Sequence, residues 1–151
     1  MHPYQIPKLR VDVEVVLSGG QEAKGAIFLS ENMISYTGKP RLEDFLNLEE
    51  RFFPFSREDG TVSLLNKARL VLLRSSEDDS TFLVEKLMLQ PKNVAVHLSD
   101  GHAVEGEIYS NLPQESLRTS DFFNQKERFL PIYQEGRKVI INTREVLYIN
   151  D

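Results

Sequence analysis

Five polar positions occur twice along the chain in the same order: Arg41 and Arg118, Asp44 and Asp121, Asn47 and Asn124, Arg51 and Arg128, Asn66 and Asn142. These residue types can do chemistry. A guanidinium fork can grip a carboxylate in two parallel bonds. Loop asparagines can read a base edge or a peptide backbone. Asp44 and Asp121 each precede a phenylalanine, where burial would perturb an acid–base carboxylate, although structural ion pairs do the same. The simpler account is turn chemistry. Aspartate caps a helical turn, asparagine closes one by tolerating the left-handed region, and arginine pairs with the aspartate.

The segments that carry these residues are themselves repeated. From Asp44 to Phe55 and from Asp121 to Ile132, seven of twelve positions are identical. Upstream, Val94, Val96 and Leu98 match Val13, Val15 and Leu17; Gly101 matches Gly20, Gly106 matches Gly25 and Ile108 matches Ile27. Downstream, Val139-Ile140-Ile141-Asn142 matches Ser63-Leu64-Leu65-Asn66, and Val146 to Ile149 matches Leu70 to Leu73. The connection from Ile108 to Arg118 is four residues shorter than that from Ile27 to Arg41, a change that a loop absorbs cheaply. This pattern predicts an internal duplication, with a first repeat over residues 1–78 and a second over 79–151. The polar run Ser75 to Ser80 marks the boundary.

Each copy reads as five short strands with one helical turn. Val11, Val13, Val15 and Leu17 alternate with other residues, the period of a half-buried strand. Ser18-Gly19-Gly20-Gln21 supplies a hairpin turn, and Gly25 to Leu29 returns. Leu42, Phe45 and Leu46 have helical spacing. Arg51–Phe55, Thr61–Leu65 and Arg69–Arg74 complete the unit, and Pro54 and Pro131 imply an edge position or a bulge. Residues 81–90 are apolar and β-prone, and are predicted as a strand. The order suits a mainly β fold, a tandem pair of small five-stranded SH3-like or Sm-like barrels. Phe52, Phe53 and Phe55, like Leu70–Leu73 and Val146–Ile149, place apolar side chains on both faces. Such strands need a second covering layer. The sister repeat is the simplest cover, so the two are expected to pack as a pseudo-symmetric pair glued by Phe52, Phe53, Phe129 and Leu130. A homo-oligomer is the alternative.

Composition narrows the function. The 151 residues carry a net charge of −5 and no cysteine, which removes disulfides, thiol nucleophiles and cysteine-held zinc. The acidic balance argues against a general nucleic-acid binder. His97 and His102 flank the second hairpin, but two histidines without spaced acidic partners make a poor zinc site. Glu77-Asp78-Asp79 lacks the spaced ligands of a calcium loop. No nucleophile elbow or phosphate-cradling glycine loop occurs, so neither an enzyme nor a cofactor is expected. No leader-like or membrane-spanning stretch is visible, which points to the cytoplasm.

The pattern Asp44-Phe45-Leu46-Asn47, Arg51-Phe52-Phe53-Pro54-Phe55, then a strand ending Leu64-Leu65-Asn66, resembles a family of uncharacterised bacterial domains. The second copy, from Val94-Ala95-Val96-His97-Leu98 and Glu105-Gly106-Glu107-Ile108 to Pro131, is similar to the whole pattern, whereas the first has Lys24 before Gly25. The resemblance implies a bacterial source and no established activity. The sequence thus predicts a non-catalytic module that binds a protein partner, with an Sm-like RNA- or nucleotide-binding protein as the alternative. Where the copies differ, at Glu31–Pro40 and around His97 and His102, function is expected to leave its mark.

Overall fold

The computed structural model describes residues 8–30, 41–76, 83–84, 87–110 and 118–151. Residues 77–80 of the expected boundary at 75–80, and residues 31–40 of the expected loop at 30–40, lie outside these. The strands are β1 (Lys8–Leu17), β2 (Glu22–Ser30), β3 (Phe52–Arg57), β4 (Val62–Asn66), β5 (Leu70–Ser75), β6 (Gln90–Leu98), β7 (Ala103–Ser110), β8 (Phe129–Gln134), β9 (Arg137–Asn142) and β10 (Val146–Asn150). Helices α1 (Leu42–Leu46) and α2 (Thr119–Phe123) are single turns before β3 and β8. Short 3-10 turns, Lys67–Arg69 and Thr143–Glu145, join β4 to β5 and β9 to β10. Among the described residues no helix is long and apolar enough to cross a membrane.

All ten strands form one antiparallel sheet in the order β10-β6-β7-β8-β9-β5-β1-β2-β3-β4. The first five strands of that list follow the same relative order as the last five. The two blocks meet where β5 pairs β9, with Leu72 opposite Ile141, Leu73 opposite Ile140, Arg74 opposite Val139 and Ser75 opposite Lys138. β4 and β10 are left as the outer strands.

The hairpin turns follow the predicted chemistry. Gly20 and Gly101 sit at φ +87° and +94°, a region that costs an L side chain more than glycine. Gly25 and Gly106 answer a different need. A Cβ at Gly25 would lie 2.2 Å from the Ser56 carbonyl oxygen, and one at Gly106 would lie 2.5 Å from that of Tyr133. Both glycines mark where one strand crosses close over the next. Past these points the strands separate quickly: β2 and β3 pair at only Gly25–Arg57 and Ala26–Ser56, and β7 and β8 only at Glu107–Tyr133.

That separation explains the prolines. β3 and β8 are interior strands, which corrects the edge position that their prolines implied as the alternative to a bulge. Pro54 and Pro131 fall outside the short pairings with β2 and β7, so neither removes a donor from those ladders. The expected strand over 81–90 is also corrected. Leu83 and Val84 are helical, Met88 takes φ +56°, which an extended strand does not accommodate, and β6 begins only at Gln90.

Two apolar clusters form the core, and each draws on both blocks. The first is built from β1 to β5 and α1, yet it includes Phe129 and Ile140. The second is built from β6 to β9, yet it includes Val16, Val71 and Leu72. β1 therefore sends Val15 into one cluster and Val16 into the other, and all of Leu70 to Leu73 is buried. The covering layer predicted for doubly apolar strands exists at this junction. It is missing at the far ends, where Phe52, Leu147 and Tyr148 are exposed.

Candidate functional site

Helix α1 brings the repeated residues of the first block to the junction. Leu42 and Leu46 are buried in the core, one turn apart, while Phe45 packs edge-on against Phe53. This fixes the turn by its apolar face. Asp44 therefore points outward and pairs with Arg41, Nε to Oδ2 at 3.3 Å, rather than capping: the helix N-cap is Arg41, without a side-chain cap bond. Asn47 closes the turn at φ −86°, ψ 0°, and Asn124 does so at φ −92°, ψ 6°. The left-handed region expected for both is not used, because the chain leaves through an ordinary bridge conformation.

Asn47 has a second job. Its Nδ2 donates to the Phe129 carbonyl and its Oδ1 accepts from the Phe129 N–H, both at 2.9 Å. One side chain thus supplies both halves of a backbone pairing, and ties α1 to the start of β8. Asn142 acts likewise. Its Oδ1 accepts from Arg144 N–H at the 3-10 turn, while its buried Nδ2 donates to the Leu70 carbonyl at 2.9 Å. Asn66 makes the matching turn bond to Ala68 N–H.

Two further links cross the same junction. Lys138 Nζ lies 2.9 Å from Glu43 Oε1, with both side chains almost wholly buried. Ser18 and Ser99 donate to the two oxygens of Glu145, at 2.9 and 3.0 Å. Repetition of identity missed Glu43 and Lys138, since their matched positions hold Ser120 and Val62. The readable signal was a lysine inside the apolar strand Val139-Ile140-Ile141.

Two cavities flank the junction. One, of about 630 Å³, is lined by Arg41, Asp44, Asn47 and Asp121 together with Tyr109 and Tyr133. The other, of about 750 Å³, is lined by Asn47, Arg51, Asn66 and Arg128 with Lys67 and Lys126. The repeated polar residues are therefore divided between two neighbouring openings. Arg118, Asn124 and Asn142 line neither. In the second cavity, burial pushes the Lys67 ammonium below its ordinary value, opposed by the charge of Glu50. Its Nζ donates to the carbonyls of Phe45 and Leu48, at 3.3 and 3.1 Å, so this lysine closes the α1 turn. Glu49, Glu50 and Glu127 sit among the cations of that cavity.

The second hairpin, where the copies differ, is held by local contacts. His97 stacks on Tyr148 with centroids 4.3 Å apart, and His102 Nδ1 lies 2.6 Å from Asp100 Oδ2. Burial alone would raise the Asp100 carboxyl, but the backbone and ring bonds from His102 outweigh it and leave it below its ordinary value. Among the described residues no group of three or more histidine, aspartate or glutamate side chains gathers to hold a metal ion.

The outer strands carry the remaining distinctive surface. Val62 and Leu64 on β4, and Leu147 and Tyr148 on β10, are all more than half exposed. Compared with known proteins, the chain matches no family model, no curated protein and no solved structure.

Proposed function

We propose that the chain is a non-catalytic protein-interaction module, made of two tandem five-stranded SH3-like or Sm-like barrels sharing one sheet. It takes up a protein partner by extending that sheet at an outer strand. The repeated strand order and the close strand crossings at Gly25 and Gly106 support the paired-barrel reading. The observation that carries the function is the exposed apolar surface of β4 and β10. An outer strand offers backbone donors and acceptors to an incoming strand, and alternate side chains supply the specificity.

The test is affinity capture from the native host with the parent chain and with Leu64→Lys and Leu147→Lys variants, followed by hydrogen exchange on the purified complex. A partner held by the parent, lost with a lysine variant and slowing exchange in β4 or β10 is expected. The same partners held equally by all three chains would overturn the reading.

A second reading, Sm-like RNA or nucleotide binding, draws on Arg51, Lys126 and Arg128 beside Asn47 and Asn66 in the second cavity. The net charge of −5 and the interleaved glutamates oppose it. Filter binding of single-stranded RNA across salt concentrations decides between them, because phosphate contacts are strongest at low salt. No retention at low salt ends this second reading.

A further inference from the structure

From the two ends of the sheet we infer that the partner is a second copy of this chain, joined head to tail by pairing β4 of one copy with β10 of the next. The inference rests on the edge-binding reading above and names its occupant. Its template is the central junction. Three positions that are buried there have matched positions at an outer edge that are open. Phe129 is 2% exposed and its match Phe52 is 51%; Ile140 is 0% and Leu64 69%; Val71 is 1% and Leu147 66%. The matched side chains are apolar at both places, so the outer strands carry an interface surface without its cover.

The polar fittings match as well. Asn47 clasps Phe129 across the central junction, and Asn124, its match, is exposed at α2, with no side-chain hydrogen bond found among the described residues. Docked in the same way, Asn124 would meet the backbone of Phe52 in the next copy. Asn142 spans the junction to the Leu70 carbonyl. Asn66 makes the same turn bond, and its Nδ2 would meet the Val146 carbonyl. The buried charge pair is absent from the outer edge on both sides, since Val62 and Ser120 stand where the junction has Lys138 and Glu43. Neither of those two positions therefore brings a lone charge into the contact, a costly event when it occurs, and Asp151, at the end of β10, keeps its ion pair with Lys92.

The junction also sets the register. Transferring the β5–β9 pairing places Tyr148 opposite Leu65, Ile149 opposite Leu64, Asn150 opposite Ser63 and Asp151 opposite Val62 of the neighbour. Each contact uses one β4 and one β10, and every copy supplies one of each. The interface is thus heterologous, and the copies form a ring where the rotation closes.

Because the chain has no cysteine, the register can be tested by cross-linking. In Ser63→Cys/Asn150→Cys the two thiols lie on opposite outer strands of one chain, but face each other between copies. Directly opposed residues bring Cβ atoms to about 4.5–5.5 Å, close enough for a disulfide after small adjustment. Mild oxidation of the purified double variant is expected to give a ladder of covalent multimers on a reducing-agent-free gel, and either single variant at most a dimer. Light scattering of the unmodified chain should give an integral multiple of the chain mass, falling to one chain mass for Leu64→Lys and for Leu147→Lys. Both exposed sites tolerate substitution, and circular dichroism of each variant checks its fold. A single-chain mass for the parent at all concentrations, a multiple that survives both lysine variants, or a disulfide formed only within one chain overturns the proposal. If the parent stays single yet a lysine variant still loses its host partner, self-assembly fails and edge binding stands. Edge variants that change neither assay refute both.

Discussion

The buried pair Glu43–Lys138 offers the sharpest test of how the two blocks are held together. At 2.9 Å, with side-chain exposures of 8% for Glu43 and 2% for Lys138, neither charge can rehydrate when its partner is removed. Replacing Lys138 by valine, the residue at its matched position Val62, strands the carboxylate of Glu43. The cost of breaking such a pair is about 3–5 kcal/mol. Against a total stability of about 5–15 kcal/mol for an ordinary domain, that removes a third or more in most cases. Glu43→Ser, copying Ser120, should cost a similar amount, because the buried Lys138 Nζ loses its carboxylate partner at 2.9 Å. The double variant Glu43→Ser/Lys138→Val removes both charges and recreates the uncharged pair of the outer edge. It should lie within about 2 kcal/mol of the parent, its remaining deficit being lost packing. Urea unfolding followed by circular dichroism measures all four chains, and a constant slope confirms that stability alone has changed. The single costs together come to about 6–10 kcal/mol against about 2 for the double variant, so the expected coupling is about 4 kcal/mol or more, above the usual range for contacting residues. A Lys138→Val cost below about 1 kcal/mol, or strictly additive single costs, would refute the assignment of this pair as a buried clamp.

Two further outcomes follow from the same geometry. Asn47→Ala deletes both bonds to Phe129 and should lower stability by about 1–3 kcal/mol, at 0.5–1.5 per bond. Asn124→Ala, at the exposed match, should stay within about 0.5 kcal/mol in dilute solution. Equal losses in denaturant titrations would contradict the junction role of Asn47. Gly25→Ala and Gly106→Ala each drive a methyl group into a carbonyl oxygen of the crossing strand, and each should cost about 1–3 kcal/mol as overpacking. Thermal midpoints equal to that of the parent would mean that the crossings are looser than the distances state.

Much of the fold was legible because strand period, turn glycines and helical spacing act locally. Val11 to Leu17, Gly20 and the Leu42–Leu46 turn each carry their own instruction, and the second copy repeats it. The strand at residues 81–90 failed for the complementary reason: apolar content does not distinguish a strand from a segment broken by a positive φ at Met88. Pro54 and Pro131 misled because a missing donor matters only where a neighbour would have paired with it, and that depends on how soon β2 leaves β3.

The site was legible by halves. Repetition picked out Asn47 and Asn142, which do hold the junction, but also Asn124 and Asn66, which face the open ends. The matched residues meet different surroundings because the two five-strand blocks pair with each other only at β5–β9. One copy of each fitting is used at β5–β9, and the other is left over at β4 or β10. Residues that differ between the copies mark the same asymmetry. Glu43 and Lys138 carry charge where the two blocks pair within one chain, whereas Val62 and Ser120 stand at the open edges, where the docking we propose would have to desolvate a charge. The differences between the copies are thus as informative as their likeness: on the self-assembly we propose, they separate a contact built into the chain from one formed between molecules.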